Sequence, residues 1–145
     1  MRKLIVIGLL IGIFSIAGLA QNDADRAAIT ATALNYAEGW YEGNAERMES
    51  ALYPELAKRM FSKDANGRSV FNHMGAMRLV QAARSGAGKR TPKEKQLKDV
   101  KILDVFENVA SVRVDMSDWI DYLHVAKVDG QWKIVNVLWE LRPKR

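Results

Sequence analysis

An α+β domain is what this 145-residue chain predicts, and three observations predict it. Apolar residues recur at helical spacing in the first half, four runs rich in valine, isoleucine and aromatics fill the last third, and turn signals separate those runs. Helices first and an antiparallel meander afterwards is the order of a domain in which a bent sheet wraps a helical layer. The composition, 48% hydrophobic and 27% charged, is that of an ordinary globular protein. The sequence shows no internal repeat and no sign of a second domain.

The opening stretch MRKLIVIGLLIGIFSIAGLA has the plan of a secretory leader. A basic start at Arg2 and Lys3 precedes an uncharged apolar run, and Gly18 and Ala20 put small side chains where a signal peptidase needs them. Cleavage after Ala20 is expected, leaving residues 21–145 as a secreted or periplasmic domain. The competing reading is an uncleaved anchor, since Leu4 to Leu19 approaches the roughly 17 residues that span a bilayer; the small residues favour cleavage. The chain contains no cysteine, which excludes lipid attachment through sulfur, disulfides, a thiol nucleophile and a thiolate metal site. Removing Arg2 and Lys3 lowers the formal charge from +5 to about +3. The remaining basic residues are scattered apart from GKRTPKEKQLK and the tail RPKR, so nucleic acid is not an expected partner.

A first helix is expected from Asp23 to Tyr41, where Ile29, Ala33, Tyr36 and Trp40 form a stripe that Ala27, Ala31, Leu34 and Ala37 widen. Asn22 or Asp23 would cap its start. Gly43 would end it, and Asn44 would cap a second helix over 45–53, stopping at Pro54. Short extended pieces should follow around Asn66-Gly67, a strong hairpin signal. A third helix is expected over 72–84, and Ser85 to Lys95 reads as a flexible surface loop. Turns at Glu107-Asn108, Ser117-Asp118 and Asp129-Gly130 then separate four strands.

If Asp129-Gly130 closes a two-residue turn, Val128 pairs with Gln131 and the register determines both faces of the last hairpin. One face would carry Trp119, Asp121, Leu123 and Val125 against Glu140, Leu138, Asn136 and Ile134. The other would carry Ile120, Tyr122, His124 and Ala126 against Trp139, Val137, Val135 and Lys133. Polar groups embedded in the first face need partners, because leaving one unpaired costs about 1–3 kcal/mol. A bound polar ligand would satisfy them, and so would hydrogen bonds to the helices. The second face is apolar enough to be an interface, and a homodimer through Tyr122, His124, Val135, Val137 and Trp139 would cover it.

Two stretches, ALNYAEGWYEGNAERMESALYPELAKRMF and DWIDYLHVAKVDGQWKIVNVLWE, resemble the nuclear transport factor 2-like superfamily, and within it the small proteins grouped as putative lumazine-binding. The first is similar to this group's helix, Gly-Asn turn and second helix, and the second to its closing hairpin. The resemblance implies a cone of the cystatin-like type, with three N-terminal helices packed in a curved antiparallel sheet around a cavity. Relatives use that cavity for isomerisation, dehydration, cyclisation, protein binding or ligand carriage.

In such a cone the aromatic stripe would face the cavity. A small, partly apolar or heteroaromatic ligand would then lie between Tyr36, Trp40, Trp119, Asp121 and Asn136. The alternative is a cofactor-independent isomerase or dehydratase with Asp121 as base and Tyr36 or His73 as donor. A third reading is an interaction module with a filled cavity. The predicted register puts Asp121 and His124 on opposite faces, so they form no dyad. The two histidines show no metal-ligand spacing, Gly86 and Gly88 belong to no phosphate loop, and a Gly-x-Ser-x-Gly elbow is absent. No metal or cofactor is therefore expected.

Overall fold

The computed structural model describes residues 5–143, with side chains described from residue 22 onward. The side chains of the leader, including those on both sides of the expected cleavage after Ala20, lie outside the described residues. The elements run α1 (Ile5–Glu42), α2 (Ala45–Ala51), β1 (Leu52–Lys63), β2 (Ser69–Met74), α3 (Ala76–Arg84), β3 (Lys98–Phe106), β4 (Val109–Met116), β5 (Trp119–Val128) and β6 (Gln131–Leu141). Three helices pack against a single sheet ordered β2-β1-β6-β5-β4-β3. Among the described residues no helix is long and apolar enough to cross a membrane.

The turn chemistry operates as the sequence predicts. Gly43 has φ 63° and ends α1, and the Asn44 side chain accepts a hydrogen bond from the Arg47 backbone N–H at 3.0 Å to start α2. The β1–β2 hairpin turns at Asn66-Gly67, where Asp64 Oδ1 accepts from the backbone N–H groups of Asn66 and Arg68. Asp129 and Gly130 take φ 49° and 79°, the paired positive values of a type I′ turn. The four C-terminal strands are divided where expected.

Several boundaries differ, each for a local reason. The helix continues through Asn22 and Asp23 instead of starting there. Thr32 and Tyr41, not Ala27 and Ala31, widen its buried stripe. The second helix stops at Ala51 because Tyr53, preceding Pro54, is biased to extended backbone; β1 begins there. The third helix starts at Ala76, since residues 69–74 pair with β1 as a strand. The loop expected to be flexible forms two 3₁₀ turns, Ala87–Arg90 and Lys93–Lys95, and Gly88 lies against the Trp40 main chain.

Two differences concern the sheet itself. It is mixed, not antiparallel, because β1 pairs parallel with β6, Lys58 beside Val137. In the last hairpin the expected register holds from Val128↔Gln131 to Val125↔Ile134, and then a bulge shifts His124 onto Asn136. From that point every β6 side chain is on the opposite face from the expected one.

The core lies between α1 and the concave face, around Ile29, Tyr36, Met48, Val112, Leu123 and Ile134. Polar contacts tie α1 to the last hairpin: Thr32 Oγ1 donates to the Trp132 carbonyl at 3.1 Å, and Asp25 Oδ1 accepts from Lys127 Nζ at 2.7 Å and Trp132 Nε1 at 3.1 Å.

Candidate functional site

Alternation along β1 turns Leu56, Lys58 and Met60 inward, all three buried. Lys58 is thereby carried into the concave side of the sheet, where it meets Asp121 of β5 and Tyr36 of α1. Its Nζ donates to Asp121 Oδ1 at 2.5 Å and to Tyr36 Oη at 2.8 Å. The Tyr36 hydroxyl donates in turn to Asp121 Oδ2 at 3.0 Å, which also accepts from Trp119 Nε1 at 2.7 Å. Asp121 is 0% exposed and Lys58 5% exposed.

The network satisfies a buried charge pair with neutral donors. Burial pushes the Lys58 ammonium below its usual range, and the facing Asp121 carboxylate opposes that change. Burial, followed by the negative charge of Asp121, pushes the Tyr36 hydroxyl well above its ordinary value, so it stays protonated and donates. Aromatic rings surround the ammonium: its Nζ lies 4.6 Å from the Trp139 ring centroid and 5.5 Å from that of Tyr36. Trp119 packs edge-on against Trp40 at 5.7 Å and Trp139 at 5.9 Å.

Of the expected ligand-binding residues, the structure brings together Tyr36, Trp40, Trp119 and Asp121. Asn136 is not with them. The bulge turns it to the outer face, where its Oδ1 accepts from Arg59 Nη1 at 2.9 Å and its amide nitrogen lies 3.3 Å from His124 Nδ1. Glu140 goes to the same outer face, paired with Ile120. Val137 and Trp139 go inward, Val137 with no exposure. Two of the five residues expected at a dimer interface are therefore on the concave side, leaving Tyr122, His124 and Val135.

His73, a proposed catalytic donor, is not at a helix start. It sits on edge strand β2 opposite Arg59, stacked on Phe71 at 6.5 Å, and its register places it on the face away from Asp121. The carboxylate oxygens of Asp121 are both occupied, by Lys58 on one side and by Tyr36 and Trp119 on the other.

Sequence reasoning missed Lys58. A signal was present, since Leu56, Lys58 and Met60 alternate in an extended stretch, and a lysine at an inward strand position needs a counter-charge. Lys58 and Trp139 also line a cleft of about 420 Å³, together with Met60, Phe71, Asn72, His73, Met74 and Arg78. No carboxylate lines this cleft. Among the described residues no group of three histidine, aspartate or glutamate side chains is placed to hold a metal ion.

Known structures of the same shape come from several bacteria. A nuclear transport factor 2-like protein of unknown function from Shewanella baltica OS155 is 18% identical, with 83% of this chain and 96% of that one covered and a TM-score of 0.63. A protein of the same type with a cystatin-like fold from Novosphingobium aromaticivorans is 10% identical, with 90% of each chain covered and a TM-score of 0.65. A ketosteroid isomerase-like protein from Erwinia carotovora atroseptica SCRI1043 is 14% identical over 81% of this chain and 96% of that one, at a TM-score of 0.56. These likenesses show the fold. No match is found among curated proteins. Residues 24–140, most of the chain, match the family described as putative lumazine-binding, and the chain belongs to that family, on a nuclear transport factor 2-like α+β fold.

Proposed function

We propose that this protein is an exported domain that binds a small ligand in the cleft floored by Lys58 and Trp139. The observation that carries the reading is Lys58 itself. It is a nearly buried ammonium that reaches the cleft, and two of its three N–H donors are held by Tyr36 and Asp121. The remaining donor beside an indole face and two thioethers is the combination of one polar anchor and apolar walls found in ligand pockets. Export rests on the leader sequence, and the domain on residues 21–145.

Binding is favoured over catalysis by Asp121. A general base needs a free oxygen within reach of substrate, and the hydrogen bonds of Asp121 use both of its oxygens. The test is native mass spectrometry of the protein expressed from its full-length coding sequence and recovered from the host. A reproducible small-mass adduct is expected, lost on Met74→Trp, which fills the cleft without touching the Lys58–Asp121 pair. Absence of any adduct and of any ligand-induced thermal shift would instead favour an interaction module with a filled interior.

We also propose a two-fold homodimer through the outer sheet face. Tyr122 and Leu138 are 46% and 52% exposed there, and the same face carries Arg59, Arg113 and Glu140, opposite charges that a two-fold axis can bring together.

A further inference from the structure

We infer that the ligand of this cleft is a small planar organic anion: a single acidic group, such as a carboxylate, on a flat conjugated body. The inference rests on the reading of the cleft as a binding site and adds the chemical class of what binds.

The sign of the charge comes from the lining. Lys58 and Arg78 are the strongly basic groups of the cleft lining, which also holds the imidazole of His73, and the carboxylate that partners Lys58 lies behind it, not in the wall. Arg78 makes no hydrogen bond or ion pair with any described residue. Its guanidinium thus keeps its full set of donors for a ligand. A cation would meet two positive groups and no acceptor carboxylate. A multiply charged anion such as a phosphate ester is poorly matched as well, because Asp121 already neutralises Lys58 and leaves Arg78 as the one uncompensated charge.

The shape of the body comes from the walls. Trp139 offers a ring at the floor, and Met60 and Met74 offer polarizable thioethers that pack well on flat conjugated surfaces. Asn72, whose amide nitrogen donates to Ser62 Oγ at 2.9 Å and to the Val70 carbonyl at 3.3 Å, keeps its amide oxygen to accept from a ring N–H. A sugar, which presents hydroxyls on every side, would bury them against sulfur and indole without partners. An acid group held by Arg78, with the flat body against the thioethers and the Trp139 floor beside Lys58, uses both the charge and the apolar walls of the cleft.

The test compares naphthoate with its uncharged amide, naphthamide, by titration calorimetry on the protein expressed from its full-length coding sequence. The acid should bind tighter by about tenfold or more, the least that one charge-assisted hydrogen bond supplies. Arg78→Gln should bring the acid close to the amide and leave the amide unchanged, Arg78→Lys should restore part of the difference, and raised salt should weaken the acid alone. Equal affinity for the two probes, or equal loss of both on Arg78→Gln, overturns the anionic class while leaving the cleft as a site. Failure of both probes to bind, or binding that Met74→Trp does not affect, overturns the cleft reading itself.

Discussion

Lys58 and Asp121, 63 positions apart in the chain, meet at 2.5 Å inside the domain with Tyr36 hydrogen-bonded to both. The pair joins β1 to β5 across β6, and Tyr36 joins both to α1. Removing one partner leaves an uncompensated buried charge, whereas removing both charges leaves none. Lys58→Met and Asp121→Asn should therefore each destabilise by about 3–5 kcal/mol. The double variant should recover much of that loss, since the amide oxygen introduced by Asp121→Asn would still accept from Tyr36 and Trp119. Urea unfolding of the four proteins measures this, and strictly additive costs would show that the two side chains do not act as a pair.

Acid should weaken the fold partly through Asp115. Its carboxylate accepts from Arg113 Nε and Nη2, both at 2.8 Å, and from Arg142 Nη2 at 2.7 Å. The hydrogen bonds of Arg113, ahead of those of Arg142, hold its pKa below the usual carboxylate range. Glu38 is lowered too, chiefly by its hydrogen bond from Lys98. A carboxyl group whose pKa is lower folded than unfolded stabilises the fold above its unfolded value, and that contribution disappears as pH falls through the folded value. Melting temperature should thus drop between about pH 5 and pH 2. Asp115→Asn should flatten part of that drop and leave the Glu38 share. A variant with an unchanged acid limb would show that Asp115 contributes nothing to it.

The parts of this fold that were legible in the sequence are local. Asn66-Gly67 and Asp129-Gly130 turn the chain because of their own backbone preferences, and Asn44 caps a helix within its own turn. The parts that were not legible depend on residues far apart. Nothing near Val135 announces the bulge, yet that single extra residue exchanges Asn136 and Glu140 for Val137 and Trp139 on the concave face. Pro54 reads as a stop, but it falls in the register shift between Leu52 and Ala57, where its missing N–H removes no regular ladder bond. Lys58 was hidden for the same reason: its inward position is readable from Leu56 and Met60, but its partner is on a strand that only the folded chain brings near.

Gly88 makes a packing prediction of a different kind. A Cβ at this position would lie 2.2 Å from the Trp40 carbonyl oxygen and 2.6 Å from its carbon. Both are main-chain atoms of α1, so relief requires moving the helix or the 3₁₀ turn. Gly88→Ala should cost about 1–3 kcal/mol or more by overpacking, visible as a lowered melting temperature. A Gly67→Ala control has open space around it and loses only what its positive φ costs, about 1 kcal/mol. Equal effects at the two positions would mean that the turn at Gly88 yields without strain.

The outer face gives the last prediction. Because the bulge carries Leu138 outward beside Tyr122, its register partner, substituting Leu138 should leave the core intact. Leu138→Glu should change monomer stability by no more than about 0.5 kcal/mol, as surface substitutions do. In a two-fold pairing the same residue enters the interface from both copies, so the new carboxylate appears twice and faces its own kind or apolar surface. Sedimentation velocity should show a dimer for the unaltered protein and a monomer for Leu138→Glu, with Val137 untouched on the other side of the sheet. A monomer at every concentration before substitution, or a dimer that survives it, would remove this face as the site of pairing.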